Sequence, residues 1–118
     1  MHYSFEKLEI WRLEIQITKA VYCTTKKFPR EELWGITSQM RRAAASIPLN
    51  VAEGSSRKSK KDFSLFLRRA IGSLLELLTA LEIAVEEKYV PQEDYEILRS
   101  LCQEEYFKII AFEKRLLQ

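Results

Sequence analysis

Leu8, Trp11, Ile15 and Tyr22, with Thr18 completing the row, recur at alternating steps of three and four. That spacing predicts a helix over about 5–27. A second row, Ile10, Leu13, Ile17 and Val21, lies beside the first and makes the apolar face wider than one partner helix needs. Ser4 is the expected N-cap, and Phe28-Pro29 ends the segment because the residue before proline is pushed out of the α region. A second helix, about 31–53, opens on acidic residues and carries Ile36, Met40, Ala43, Ala44, Ile47 and Val51 as its core stripe. Pro48 either kinks or divides it, and the return of helical period at Val51 and Ala52 favours one kinked helix. Gly54 is placed as the residue beyond the helix end, with 55-SSRKSKK-61 as the link. A third helix, about 60–88, starts near Ser59 and aligns Phe63, Phe66, Leu67, Ala70, Leu74, Leu77, Leu78, Leu81 and Val85; Gly72 inside it predicts a close helix contact. After the turn Tyr89-Val90-Pro91, with Pro91 at the first helical position, a fourth helix over about 92–117 aligns Tyr95, Leu98, Leu101, Cys102, Ile109, Phe112 and Leu116.

Long helices with short links describe an all-α, up-down-up-down four-helix bundle, one domain over 1–118. Composition agrees: 118 residues, 47% hydrophobic and 31% charged, hold only three glycines and three prolines, too few for a many-stranded sheet. The further apolar positions on helices one and four (Ile10, Ile17, Val21; Ile97, Phe107, Ile110) exceed what a monomer core needs and predict a homo-oligomer. No basic leader precedes a long apolar run, so the expected location is the cytosol.

Charge sharpens the picture. Net charge is +2, yet between Gln39 and Arg69 eight basic residues face two acidic ones, and between Glu76 and Phe107 nine acidic residues face two basic ones. The basic set, Arg41, Arg57, Lys58, Lys60, Lys61, Arg68 and Arg69, is either a phosphate-neutralising patch acting through counterion release or a solvated link. Gln39, Arg42, Ser46, Asn50 and Glu53 share a second face of helix two. They form either a groove-facing set for phosphate or a partner, or a hydrogen-bonded seam in which Ser46 and Asn50 satisfy the carbonyl freed by Pro48.

Catalytic constellations are absent from the pattern. The only histidine is His2, the glycines are isolated, and Glu86-Glu87 and Glu104-Glu105 read as solvated surface pairs. Cys23 and Cys102 sit in apolar helical rows and read as buried thiols. The expectation is a protein that is not an enzyme and needs no metal or cofactor.

The pieces Gln39-x-Arg41-Arg42-Ala43, Ser46-Ile47-Pro48-x-Asn50-x-Ala52-Glu53-Gly54 and Ala70-x-Gly72-Ser73-x-x-Glu76, together with 28-FPREELWGITSQ-39, resemble the bacterial 23S ribosomal RNA intervening-sequence proteins over nearly the whole chain. Departures are small: Val51 where that family often has isoleucine, and Leu49 at a variable position. The resemblance implies a four-helix bundle. It extends to the accessory variability proteins of diversity-generating retroelements, which are pentameric, bind nucleic acid through a basic surface and partner a reverse transcriptase. What it implies here is a homopentamer with structured RNA or DNA as a partner; the competing expectation is a protein-interaction scaffold whose acidic helices meet a basic protein.

Overall fold

A computed structural model describes residues 3–118. Four helices, Glu9–Thr25 (α1), Ser38–Ser55 (α2), Lys60–Glu86 (α3) and Gln92–Leu116 (α4), form an all-α fold with no strand among the described residues. His2, the one histidine, lies outside the described residues.

Two helices start later than their periodicity suggests. Leu8 is extended (φ −76°, ψ 126°), so Ser4 heads a short 3-10 turn, Ser4–Lys7, instead of capping α1. The Glu6 carboxylate closes that turn by accepting the Tyr3 N–H at 2.9 Å. Before α2 the chain makes two further turns, Arg30–Glu32 and Leu33–Thr37, because Gly35 leaves helical geometry (φ −108°, ψ −117°). At the end of the molecule where these turns lie, Glu32 accepts the Tyr89 hydroxyl at 3.1 Å and fastens the α3–α4 link to them. Pro91 stands one place earlier than expected, as the N-cap of α4.

α2 runs unbroken through Pro48. Proline removes the N–H that would bond the Ala44 carbonyl. That carbonyl is met from α1: the Thr18 hydroxyl lies 3.3 Å from it and 2.8 Å from the Glu14 carbonyl of its own helix. Ser46 and Asn50 therefore do not serve the freed carbonyl, contrary to the sequence expectation. Asn50 Nδ2 donates instead to the Ser46 carbonyl at 2.8 Å.

The interior is built from Ile17, Met40, Ile47, Leu67, Leu74, Leu77, Leu81, Leu98 and Ile109, all effectively inaccessible. On α1 the core stripe is the second apolar row. Ile10, Leu13, Ile17 and Val21 are buried, whereas Ile15 and Tyr22 from the first row are exposed. Three of the residues reserved for an oligomer contact are thus core, while Ile97 and Phe107 on α4 remain exposed. Cys23 is exposed too, correcting its reading as a buried thiol; Cys102 is buried as expected.

Side-chain contacts link the four helices to one another. Thr18 of α1 meets Ala44 of α2, and Thr25 meets Arg41 nearer the start of α2. Ser46 of α2 meets Ser73 of α3, Ser64 of α3 meets Glu113 of α4, and Tyr95 of α4 returns to Glu82 of α3. Closing the circuit, Thr24 of α1 reaches Asp94, and Glu9 pairs with Lys108.

The glycines exchange the roles expected of them. Gly54 is inside α2, not beyond it, and a Cβ there would stand 2.6 Å from Phe66 Cβ and 2.9 Å from Phe63 Cδ1. It is the close-approach glycine of the α2–α3 contact. Gly72, placed by its sequence at such a contact, faces open space.

A glycine-like conformation falls instead to Lys88 (φ 64°). There the Tyr89 N–H bonds the Ala84 carbonyl at 2.9 Å and the Lys88 N–H bonds the Val85 carbonyl at 3.0 Å, a Schellman ending of α3 with lysine at the left-handed position. A side chain in that region costs about 1–2 kcal/mol, part of which glycine gives back through its freer unfolded chain. Lys88→Gly is expected to raise stability by about 0.5–1 kcal/mol in urea unfolding. An unchanged or lower midpoint would count against this reading of the turn.

Candidate nucleic-acid interface

Ser59 sets the start of α3: its hydroxyl accepts the Asp62 N–H at 3.1 Å, leaving residues 56–59 as the link from α2. Arg57, Lys58, Lys60 and Lys61 are all exposed around it. Phe66, nearly two turns into α3 and buried, organises the arginines. The guanidinium of Arg57 lies 4.5 Å from its ring centroid and that of Arg69, three residues further along the helix, 4.6 Å. Arg57 also pairs with Glu53 at 3.1 Å. Lys58, Lys60 and Lys61 form no ion pair among the described residues. The outcome is a compact basic group with three uncommitted ammonium groups and two guanidinium groups held on one aromatic ring.

Two of the seven basic candidates lie apart from it. Arg41 is near the opposite end of α2, about 20 Å away at 1.5 Å per residue. There its Nε donates to Thr25 Oγ1 at 2.9 Å and its guanidinium lies 4.8 Å from the Tyr22 ring centroid. Arg68 points toward α4, where it forks onto Glu113 with Nη2 to Oε1 at 2.6 Å and Nε to Oε2 at 3.0 Å. The Ser64 hydroxyl donates to the same carboxylate. Adjacent residues on a helix diverge by about 100°, which is why Arg68 and Arg69 serve different faces.

The polar row on α2 divides as well. Ser46 and Ser73 hydroxyls meet at 2.8 Å across the α2–α3 contact, and Asn50 Nδ2 adds a bond to Ser46 Oγ at 3.0 Å. These two residues are a seam between helices. Gln39 and Arg42 are exposed, and Glu53 belongs to the basic group through Arg57.

A family model for 23S rRNA-intervening sequence proteins matches residues 6–111. The chain belongs to that family. Among solved structures, a protein of unknown function from the S23 ribosomal protein family of Bacteroides thetaiotaomicron has the same fold. It is 22% identical, with a TM-score of 0.82 over 89% of this chain and 98% of its own. No curated protein matches the chain significantly.

In this intervening-sequence protein the sequence pattern missed three buried acids: Glu14 and Glu105, both inaccessible, and Glu113. Glu105, read as half of a solvated pair with Glu104, is core, and only Glu104 is exposed. A signal was present. Glu14 lies four after Ile10 and three before Ile17, and Glu105 three after Cys102 and four before Ile109, so each occupies a core position of its helix. Burial raises the carboxyl pKa of both, and Glu105 adds to the rise at Glu14. The same surroundings push the Cys102 thiol up to about 12, which keeps it protonated and unreactive. Where α1 and α4 meet solvent, Lys108 pairs with Glu9 and, at 3.0 Å, with Glu104; its hydrogen bond to Glu9, and then its charge, hold the Glu9 carboxyl below the usual range. Among the described residues no group of three or more His, Cys, Asp or Glu could hold a metal ion, and no helix is long and apolar enough to cross a membrane.

Proposed function

We propose that this protein is a non-catalytic, cytoplasmic, oligomeric up-down-up-down bundle that binds structured RNA or DNA through the basic group at the α2–α3 link. One observation carries the reading: Lys58, Lys60 and Lys61 stand exposed without ion pairs, beside Arg57 and Arg69 gathered on Phe66. Clustered uncommitted cations bind phosphates by counterion release and need no sequence readout. Arg41 and Arg68 act as structural contacts in this reading, and Arg57, Lys58, Lys60, Lys61 and Arg69 as the binding set. The family's link to 23S ribosomal RNA makes RNA the first ligand to try. Assembly into a homopentamer would repeat the basic group around one rim and multiply its field.

Replacing Lys58, Lys60 and Lys61 together with glutamate is expected to abolish electrophoretic shifts of ribosomal RNA fragments while leaving helicity intact. Each lysine lost should reduce the slope of log affinity against log salt by about one. An absence of any shift by the unaltered protein at low salt would end the proposal.

A second reading, a protein-interaction scaffold, is favoured by the apolar side chains left exposed on α3 and α4: Leu75, Ile83, Ile97 and Phe107. Purification with a stoichiometric protein and an A260/A280 ratio free of nucleic acid would select it.

A further inference from the structure

Glu14 lies between Glu9 and Thr24 on α1, and Glu105 between Asp94 and Lys108 on α4, the residues whose pairings Glu9–Lys108 and Thr24–Asp94 join the two helices. Glu14 and Glu105 are both inaccessible, and none of their four carboxyl oxygens meets a hydrogen-bond donor among the described residues. Hydrophobic neighbours along their own helices, Ile10, Ile17 and Val21 on one side and Leu98, Cys102 and Ile109 on the other, are all buried. Two ionised carboxylates in such a place would each lack hydration and repel one another. A single proton shared between them removes one charge and supplies the missing donor.

We propose that Glu14 and Glu105 form a proton-sharing latch between α1 and α4, so that the closed bundle retains a proton there and loses hold of α4 as that proton leaves. The groups acting on the pair come from the two helices that carry it: Glu9 from α1, and Glu104 and Lys108 from α4, while Glu105 in turn acts on the Cys102 thiol. α2 and α3 turn apolar side chains such as Ala44, Ile47, Leu67 and Leu74 to the interior, and no charged group from either acts on the pair. Lys108 favours the ionised form of Glu105, while Glu104 and Glu9 oppose it.

The sign follows from proton counting. Both carboxyls are raised in the folded protein above an unfolded value of about 4.3, so between that value and the folded ones the native state binds more protons than the unfolded state. Stability therefore falls as pH rises through this range. For each extra proton held by the native state, the unfolding equilibrium constant increases about tenfold per pH unit.

The test is urea unfolding from pH 5 to 9, comparing the full chain with E14Q/E105Q, whose neutral amides do not titrate in this range. The unaltered protein should lose stability steeply across this range, and the variant should stay nearly flat. Placing both in a C23S background makes alkylation of Cys102 a second readout, since that thiol is buried beside the pair. The rate should climb more steeply with pH when the glutamates are present, the variant correcting for thiol ionisation itself. Equal pH profiles in the two proteins would overturn the latch. Should E14Q/E105Q fail to fold, the infrared spectrum of the unaltered protein decides: a protonated-carboxyl band persisting at pH 7 supports the shared proton, and its absence refutes it.

Discussion

Replacing Gly54 with valine is expected to lower the stability of the protein by about 3 kcal/mol or more, the largest loss from any single small substitution in α2. A Cβ at Gly54 would lie 2.6 Å from Phe66 Cβ and 2.9 Å from Phe63 Cδ1. Phe66 Cβ is bonded directly to the α3 backbone, so it yields only if the helix moves. Phe63 cannot turn aside freely, because its ring packs edge-on against Phe112 with centroids 5.6 Å apart. Alanine at the same position would recover up to about 1 kcal/mol of helix propensity, yet overpacking of about 1–3 kcal/mol leaves it destabilising as well. Gly72→Ala supplies the control. Nothing stands within 4 Å of a Cβ there, so the propensity gain should appear alone, as an increase of about 1 kcal/mol. Urea midpoints measured at constant slope separate the three variants. Because Phe66 also carries Arg57 and Arg69, Gly54→Val should weaken RNA retention along with stability, whereas Gly72→Ala should leave it unchanged.

Gly54 and Gly72 also mark what the sequence could tell. The four helices were legible because their apolar periodicity is long and uninterrupted, and because Pro29, Ser59 and Pro91 punctuate it. Starts were harder to place. Neither the extended Leu8 nor the break at Gly35 leaves a mark on an apolar pattern that runs on through both. Which of two adjacent apolar rows on α1 faces inward was not decidable from α1 alone, since both rows satisfy helical spacing; the choice depends on how the other three helices close around it. A glycine inside a helix likewise shows only that a side chain is missing. Whether a neighbour needs the room is a property of the neighbour: Phe63 and Phe66 need it at Gly54, and nothing in this chain does at Gly72.

The basic candidates show the same boundary. Clustering along the chain located the α2–α3 link correctly as a concentration of positive charge. Sequence distance alone could not divide Arg41 and Arg68 from it, because their partners, Thr25 and Glu113, lie 16 and 45 residues away. Buried acids were missed for a related reason. Glutamate counts as a surface residue by composition, and the position of Glu14, Glu105 and Glu113 in the core rows becomes a signal only when polar residues are scored by register instead of by type.

Arg68→Met is expected to cost about 2 kcal/mol, roughly two to four times the effect of Arg69→Met on the next residue. Glu113 is 5% exposed, and Arg68 meets both of its oxygens in a fork whose geometry lysine could not reproduce. Methionine keeps most of the side-chain volume and removes the charge, leaving the buried carboxylate with only the Ser64 hydroxyl as donor. The Arg68 side chain remains 60% exposed, so water partly compensates and holds the loss below the roughly 3–5 kcal/mol of a fully enclosed pair. Arg69→Met removes a contact with Phe66 at an exposed site, worth about 0.5–1 kcal/mol. Glu113→Gln in the Arg68→Met background should restore more than half of the loss, because the neutral amide no longer demands a counter-charge. The two arginines should behave oppositely toward RNA: at temperatures where both variants are folded, Arg69→Met weakens binding and Arg68→Met does not. If the stability losses prove equal and small, the fork on Glu113 is open in solution, and Arg68 rejoins the residues free to bind phosphate.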